Sequence, residues 1–155
     1  ADAGPPDCVL DDIEGSTGHF EGTWEGLVFG AFAFTGPFEL PARGEMAFDI
    51  YCGDDKLLVD GLLEGRAYQH ADAGPDEPGH PFSGRLYGEY SLATGAVTMM
   101  VNPATLTVGP LTGTFQVAMS GQRVNDDFEN GAWCGVTISP EGGAGEGSWI
   151  AELIR

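Results

Sequence analysis

The chain has 155 residues, the usual size of one domain, and its 42% hydrophobic content suits a packed core and argues against a disordered chain. Its 24 acidic residues face 6 basic ones, a formal net charge of -18 with Lys56 as the only lysine, which excludes nucleic-acid phosphate and anionic membrane surfaces as partners. No apolar run approaches the ~20 residues that a membrane-spanning helix needs, so no membrane span is expected.

Residues 1–18 form an acidic arm with Gly and Pro and no aromatic, followed by a single β domain over 19–155. Such an arm orders only if something holds it, and Cys8, Val9, Leu10 and Ile13 are the groups that would do so, on its own domain or on a neighbouring subunit. Ala1 opens the chain without a basic or apolar leader, which predicts a removed signal peptide and an extracellular or cell-surface location. From His19 the pattern is β, with Phe20, Gly22, Trp24 and Gly26 alternating against polar residues. Leu27 to Phe34, including Phe29, is apolar on both faces and predicts a strand covered on both sides or an oligomer contact. Gly36-Pro37 predicts a turn and Pro41 a second interruption. Met46, Phe48, Ile50 and Cys52 then share a face, and Lys56 to Gln69 forms the next strand, with a bulge expected near Gly61 or Gly65.

His70 to Pro81 is a polar loop. Phe82 to Val101 is a strand, turn and strand: Phe82, Gly84, Leu86, Gly88 and Tyr90 line one face, Gly95 supplies the turn, and Val97, Met99 and Val101 resume the alternation. Pro103 predicts an edge position or a strand end. Leu111 to Ser120 is a further strand, with Gly113, Phe115, Val117 and Met119 inward, and Gly121 to Asn130 a polar connection. In Ala132 to Ser139 the apolar set Cys134, Val136 and Ile138 is expected inward, against Trp133, Gly135 and Thr137. Ser148 to Ile154 closes the chain, with Gly147, Trp149, Ala151 and Leu153 on one face. No segment carries a helical stripe. The fold class is all-β, an antiparallel sandwich or barrel of roughly eight to ten strands with no substantial helix.

Glycine recurs in phase with large residues on the inward faces, at a cost of up to about 1 kcal/mol each. Rings from neighbouring strands lying over bare backbone would repay that cost. The other use of such glycines is the floor of a ligand cavity, lined by Trp24, Phe82, Phe115 and Trp149.

Groups that carry chemistry are few. His70 and His80 flank a polar loop where imidazole and carboxylate could hold a metal. Glu21, Glu25, Glu64 and Glu89 are candidate carboxylate pairs for glycoside hydrolysis. Asn125, Asp126, Asp127 and Glu129 could supply oxygen ligands to calcium, but no cofactor is the expectation and calcium the alternative. With no catalytic motif, no enzymatic activity is expected. The three cysteines lack zinc spacing. If Cys52 and Cys134 both face inward, their pairing closes a loop of about 80 residues, worth about 4.5 kcal/mol in the chain-entropy model. Pairing of Cys8 with either of them would instead pin the arm.

Gly22-Thr23-Trp24, with Leu111 to Phe115 later, resembles the Gly-x-Trp opening of lipocalin and avidin type barrels. That resemblance implies eight strands around a small apolar or vitamin-like ligand. The residues themselves point first to a secreted or cell-surface, non-enzymatic β-protein with a structural, adhesive or self-assembly role, as a homo-oligomer or polymer subunit. A ligand-binding barrel is the alternative, and an acid glycoside hydrolase the third reading.

Overall fold

The computed structural model describes residues 18–32, 36–52, 56–68, 79–91, 93–108, 111–125, 127–137 and 143–154. They form β1 (Gly18–Phe32), β2 (Gly36–Cys52), β3 (Leu57–Ala67), β4 (His80–Tyr90), β5 (Ala96–Val108), β6 (Leu111–Val124), β7 (Asp127–Thr137) and β8 (Gly143–Ile154). Each strand pairs antiparallel with its chain neighbours, and β8 returns to β1, so the sheet closes into an up-and-down barrel. Of the two architectures that the alternation allowed, the barrel is the one formed. Closure leaves no unpaired edge among these strands, which removes strand addition at an edge as a route to assembly.

The period-two pattern selects the inside. Phe20, Trp24 and Val28 of β1 are buried, as are Met46, Phe48 and Ile50 of β2 and Phe82, Leu86 and Tyr90 of β4. Register then explains the glycines. Along β3 and β4 four successive inward pairs are Val59 with Gly88, Gly61 with Leu86, Leu63 with Gly84 and Gly65 with Phe82, one glycine against one larger residue in each. A barrel of eight strands has an interior just wide enough to be filled by side chains, and this alternation fits large rings into it without overpacking.

Several expectations are corrected. β2 runs through both Pro37 and Pro41 rather than turning there. Proline lacks only the donor, and the Pro41 carbonyl still accepts from Tyr68 N–H at 2.7 Å. The β2–β3 and β3–β4 registers are continuous, so neither Gly61 nor Gly65 is bulged. Bulges fall instead in β4–β5, β5–β6, β6–β7 and β7–β8. Pro103 sits in the one between Val101 and Ala104, where a missing N–H is tolerated within a paired strand. The polar connection expected over Gly121 to Asn130 is mostly strand: β6 and β7 pair up to Val124 and Asp127, and Asn125 takes a positive φ of 59° in the turn between them. The bulges on either side shift the phase, so Phe128 is fully buried inside a polar-looking run.

β7 also has the opposite facing to that expected. Trp133 and Gly135 point inward, while Cys134 and Val136 lie exposed on the outer wall. A tryptophan that fills the interior buries far more area than a cysteine, and this decides the facing. Cys134 carries a free thiol. It pairs in register with Glu146, which lies level with Leu27 and hence Pro41, eleven residues from Cys52 along β2. The shared inward face that motivated a Cys52–Cys134 bridge is therefore absent. The Cys52 side chain and the whole of Cys8 lie outside the described residues.

Candidate functional site

The interior is rich in rings, which meet in two groups, one around Trp24 and one around Phe128. Trp24 meets Phe82 at 5.5 Å between ring centroids and Trp133 at 5.8 Å, Phe82 meets Phe115 at 5.9 Å, and Trp149 meets Phe128 at 5.6 Å and Phe48 at 6.2 Å. The structure thus gathers Trp24, Phe82, Phe115 and Trp149, the residues expected to line a ligand cavity, but as partners for one another and for other rings. Each indole N–H donates to a strand carbonyl: Trp24 to Glu64 at 3.1 Å, Trp133 to Glu25 at 3.0 Å, and Trp149 to Ser120 and Ala132, each at 3.2 Å. The rings reach those carbonyls because glycine lies beneath them. A Cβ at Gly65 would stand 2.6 Å from Trp24 Cζ2, one at Gly26 2.6 Å from Trp133 Cζ2, and one at Gly121 2.6 Å from Trp149 Cζ2. Among the described residues the buried set is apolar apart from the Tyr90 phenol and the indole N–H groups.

Polar groups are gathered on the outer wall. A groove of about 800 Å³ crosses β8, β1, β2, β3 and β4. Register sets two rows in it: Ser148, Glu25, Arg43 and Arg66 in one, and Ile150, Thr23, Glu45, Glu64 and Ser83 in the other. Tyr68 stacks on the Arg43 guanidinium at 4.3 Å, and Arg66 Nη1 donates to the Gly79 carbonyl at 3.2 Å. Two of the four glycosidase candidates, Glu25 and Glu64, enter this groove. Glu89 pairs with Lys56 at 2.6 Å and Glu21 with His19 at 3.0 Å. Hydrolysis by a carboxylate pair uses a general acid made by desolvation, whereas Glu25 and Glu64 are both exposed to water.

His19 lies between two carboxylates, Nδ1 at 2.8 Å from Asp49 and Nε2 at 3.0 Å from Glu21. The Asp49 hydrogen bond, helped by that to Glu21, raises its pKa above the ordinary 6.5. The stability this adds is complete below the unfolded pKa of about 6.5 and is lost as pH rises through the folded value. The gap in melting temperature between wild type and His19→Gln is therefore expected to be wider at pH 6 than at pH 8.5. A gap that does not change with pH would show that the protonated ring makes no net contribution.

Among the described residues, no three His, Cys, Asp or Glu side chains converge as a metal group. Of the expected calcium ligands, Asp127 Oδ1 already accepts from Leu153 N–H at 3.1 Å, Asn125 and Glu129 are exposed, and Asp126 lies outside the described residues. Of the expected assembly residues, Leu27 is 38% exposed on the outer wall and Phe29 is partly buried on that face, while Cys8, Val9, Leu10 and Ile13 lie outside the described residues. His80 begins β4, and His70 lies outside the described residues.

These features define a class: a closed eight-stranded up-and-down barrel whose interior is packed with its own rings and whose outer wall is acidic over β1 to β4. No family model, curated protein or solved structure matches the chain. The eight-stranded barrel implied by Gly22-Thr23-Trp24 is formed.

Proposed function

We propose that the chain is a secreted or cell-surface, non-enzymatic β-barrel that acts as a structural or self-assembling subunit through its outer wall. The observation that carries this reading is the interior: Trp24, Phe82, Phe115, Trp133 and Trp149 contact other rings, and each indole N–H is already bonded. A ligand would have to displace that core. The wall also has the reverse of the transmembrane-barrel pattern, with carboxylates such as Glu21, Glu25, Glu45, Glu64, Glu89 and Glu146 outward and apolar groups inward. An acidic wall of this kind suits a saline exterior, where ions screen self-repulsion over about 8 Å or less.

Light scattering on the native chain, from micromolar to near-millimolar concentration, tests the reading. The expected result is a mass that climbs with concentration. A single monomeric mass across that range would overturn the assembly role.

A further inference from the structure

From Tyr90 to Gln122 the sequence contains no Asp, Glu, Lys, Arg or His, in a chain with 24 acids. The fold turns this run into one surface, because β5 and β6 are neighbours and β7 continues it with Ala132, Cys134 and Val136. Register aligns Tyr87, Met100, Ala118 and Cys134 as a cross-strand row on the outer wall. Tyr87 is 40% exposed, Val136 57%, and the Cys134 thiol is free and exposed. Uncharged hydroxyls extend the surface, with Thr107 Oγ1 and Thr112 Oγ1 3.3 Å apart. Charge resumes at its borders, at Glu89 beside Thr98 and at Glu146 beside Cys134.

We propose that this uncharged β5–β6–β7 wall is the face by which two copies of the chain associate, which rests on the assembly role above and names its surface. Two bodies of charge -18 repel, and a contact through the β1–β4 wall would bring Glu25, Glu45 and Glu64 of both copies into one interface that also holds Arg43 and Arg66. A cationic partner would choose that acidic wall. The uncharged face instead fits another uncharged face, and a second copy supplies one that is complementary to itself under two-fold symmetry. An apolar centre depleted of charge inside a charged rim is the general anatomy of an interface. Three strands about 4.8 Å apart and about ten residues long, at about 3.4 Å per residue, give a face of roughly 500 Å², below the ~800 Å² per partner of a standard interface. The association is accordingly weak, and salt strengthens it by screening the remaining repulsion.

The test is light scattering on the full chain and two variants, at low salt and in about 0.5 M salt, with alkylation of Cys134 by iodoacetamide followed by peptide mapping. Ala118→Glu puts a carboxylate at the centre of the face, and Ala47→Glu puts the same charge on the β2 wall between Glu45 and Asp49. The expected result is that Ala118→Glu moves association to at least tenfold higher concentration while Ala47→Glu moves it less than twofold. Salt should favour association, and Cys134 should be alkylated at least threefold more slowly in concentrated wild-type protein. Gln116→Glu, on the same wall, replaces Ala118→Glu if thermal melting shows that variant unfolded. Association untouched by these charges, or Cys134 alkylation independent of concentration while the mass rises, would overturn the face and leave the assembly role standing. A wild-type chain monomeric throughout would overturn both.

Discussion

Replacing Trp149 with alanine is expected to remove about 3–5 kcal/mol of stability and to lower the melting temperature by roughly 10–15 °C. The ring is 1% exposed, packs against Phe48 and Phe128, and covers Gly121 of β6 and Gly131 of β7. Its loss leaves a void that a closed sheet cannot collapse, since moving one strand would break the ladders on both sides of it. The carbonyls of Ser120 and Ala132 also lose their shared donor. Against a total stability of about 5–15 kcal/mol for a domain, a loss of this size leaves little margin. Chemical denaturation monitored by circular dichroism measures it. A loss below about 1.5 kcal/mol would mean that the ring is not the keystone of the β6–β7–β8 wall.

The second large effect is a coupling. Gly121→Ala is expected to cost about 1–3 kcal/mol in the wild-type background, because the new methyl would meet Trp149 Cζ2 at 2.6 Å and Cη2 at 2.9 Å. All three of its nearest atoms belong to that indole, with no neighbouring backbone among them. In a Trp149→Phe background the outer ring is gone, and the same change should cost under about 0.5 kcal/mol or even stabilise, since alanine reduces the entropy of the unfolded chain. The double-mutant cycle should therefore return a coupling of about 1 kcal/mol or more. Additive costs would show that Gly121 is required by the backbone rather than by the ring above it.

Both experiments address a feature that the sequence displays openly. Glycine in phase with large residues, as in Phe20-Gly22-Trp24-Gly26 or Val59-Gly61-Leu63-Gly65, is legible because a strand reports its two faces at period two, and rings laid over bare backbone are one of the two uses such glycines have. Legibility ends where the period breaks. Phe128 was hidden in a polar run because bulges at Ser120/Arg123 and Phe128/Gly131 shift the phase, and a bulge leaves no composition signal of its own. The same limit inverted Cys134 and Val136, where apolar character alone suggested an inward face while Trp133 claimed it by size.

The candidate surface was less legible than the core. The uncharged run from Tyr90 to Gln122 was present as a signal, yet a run in sequence becomes a patch only when its strands are adjacent, and a sandwich could have divided it between two sheets. Local alternation, turn chemistry at Gly95 and the glycine–aromatic phase are properties of neighbouring residues, so an all-β chain, its hairpin and most of its inward faces can be read from the residue order alone. Closure of β8 onto β1, the placing of three indoles over glycines of other strands, and the separation of an acidic wall from an uncharged one depend on registers between residues far apart in the chain. Those were decided only by the tertiary structure, because the volume that must be filled inside the barrel is set by all eight strands at once.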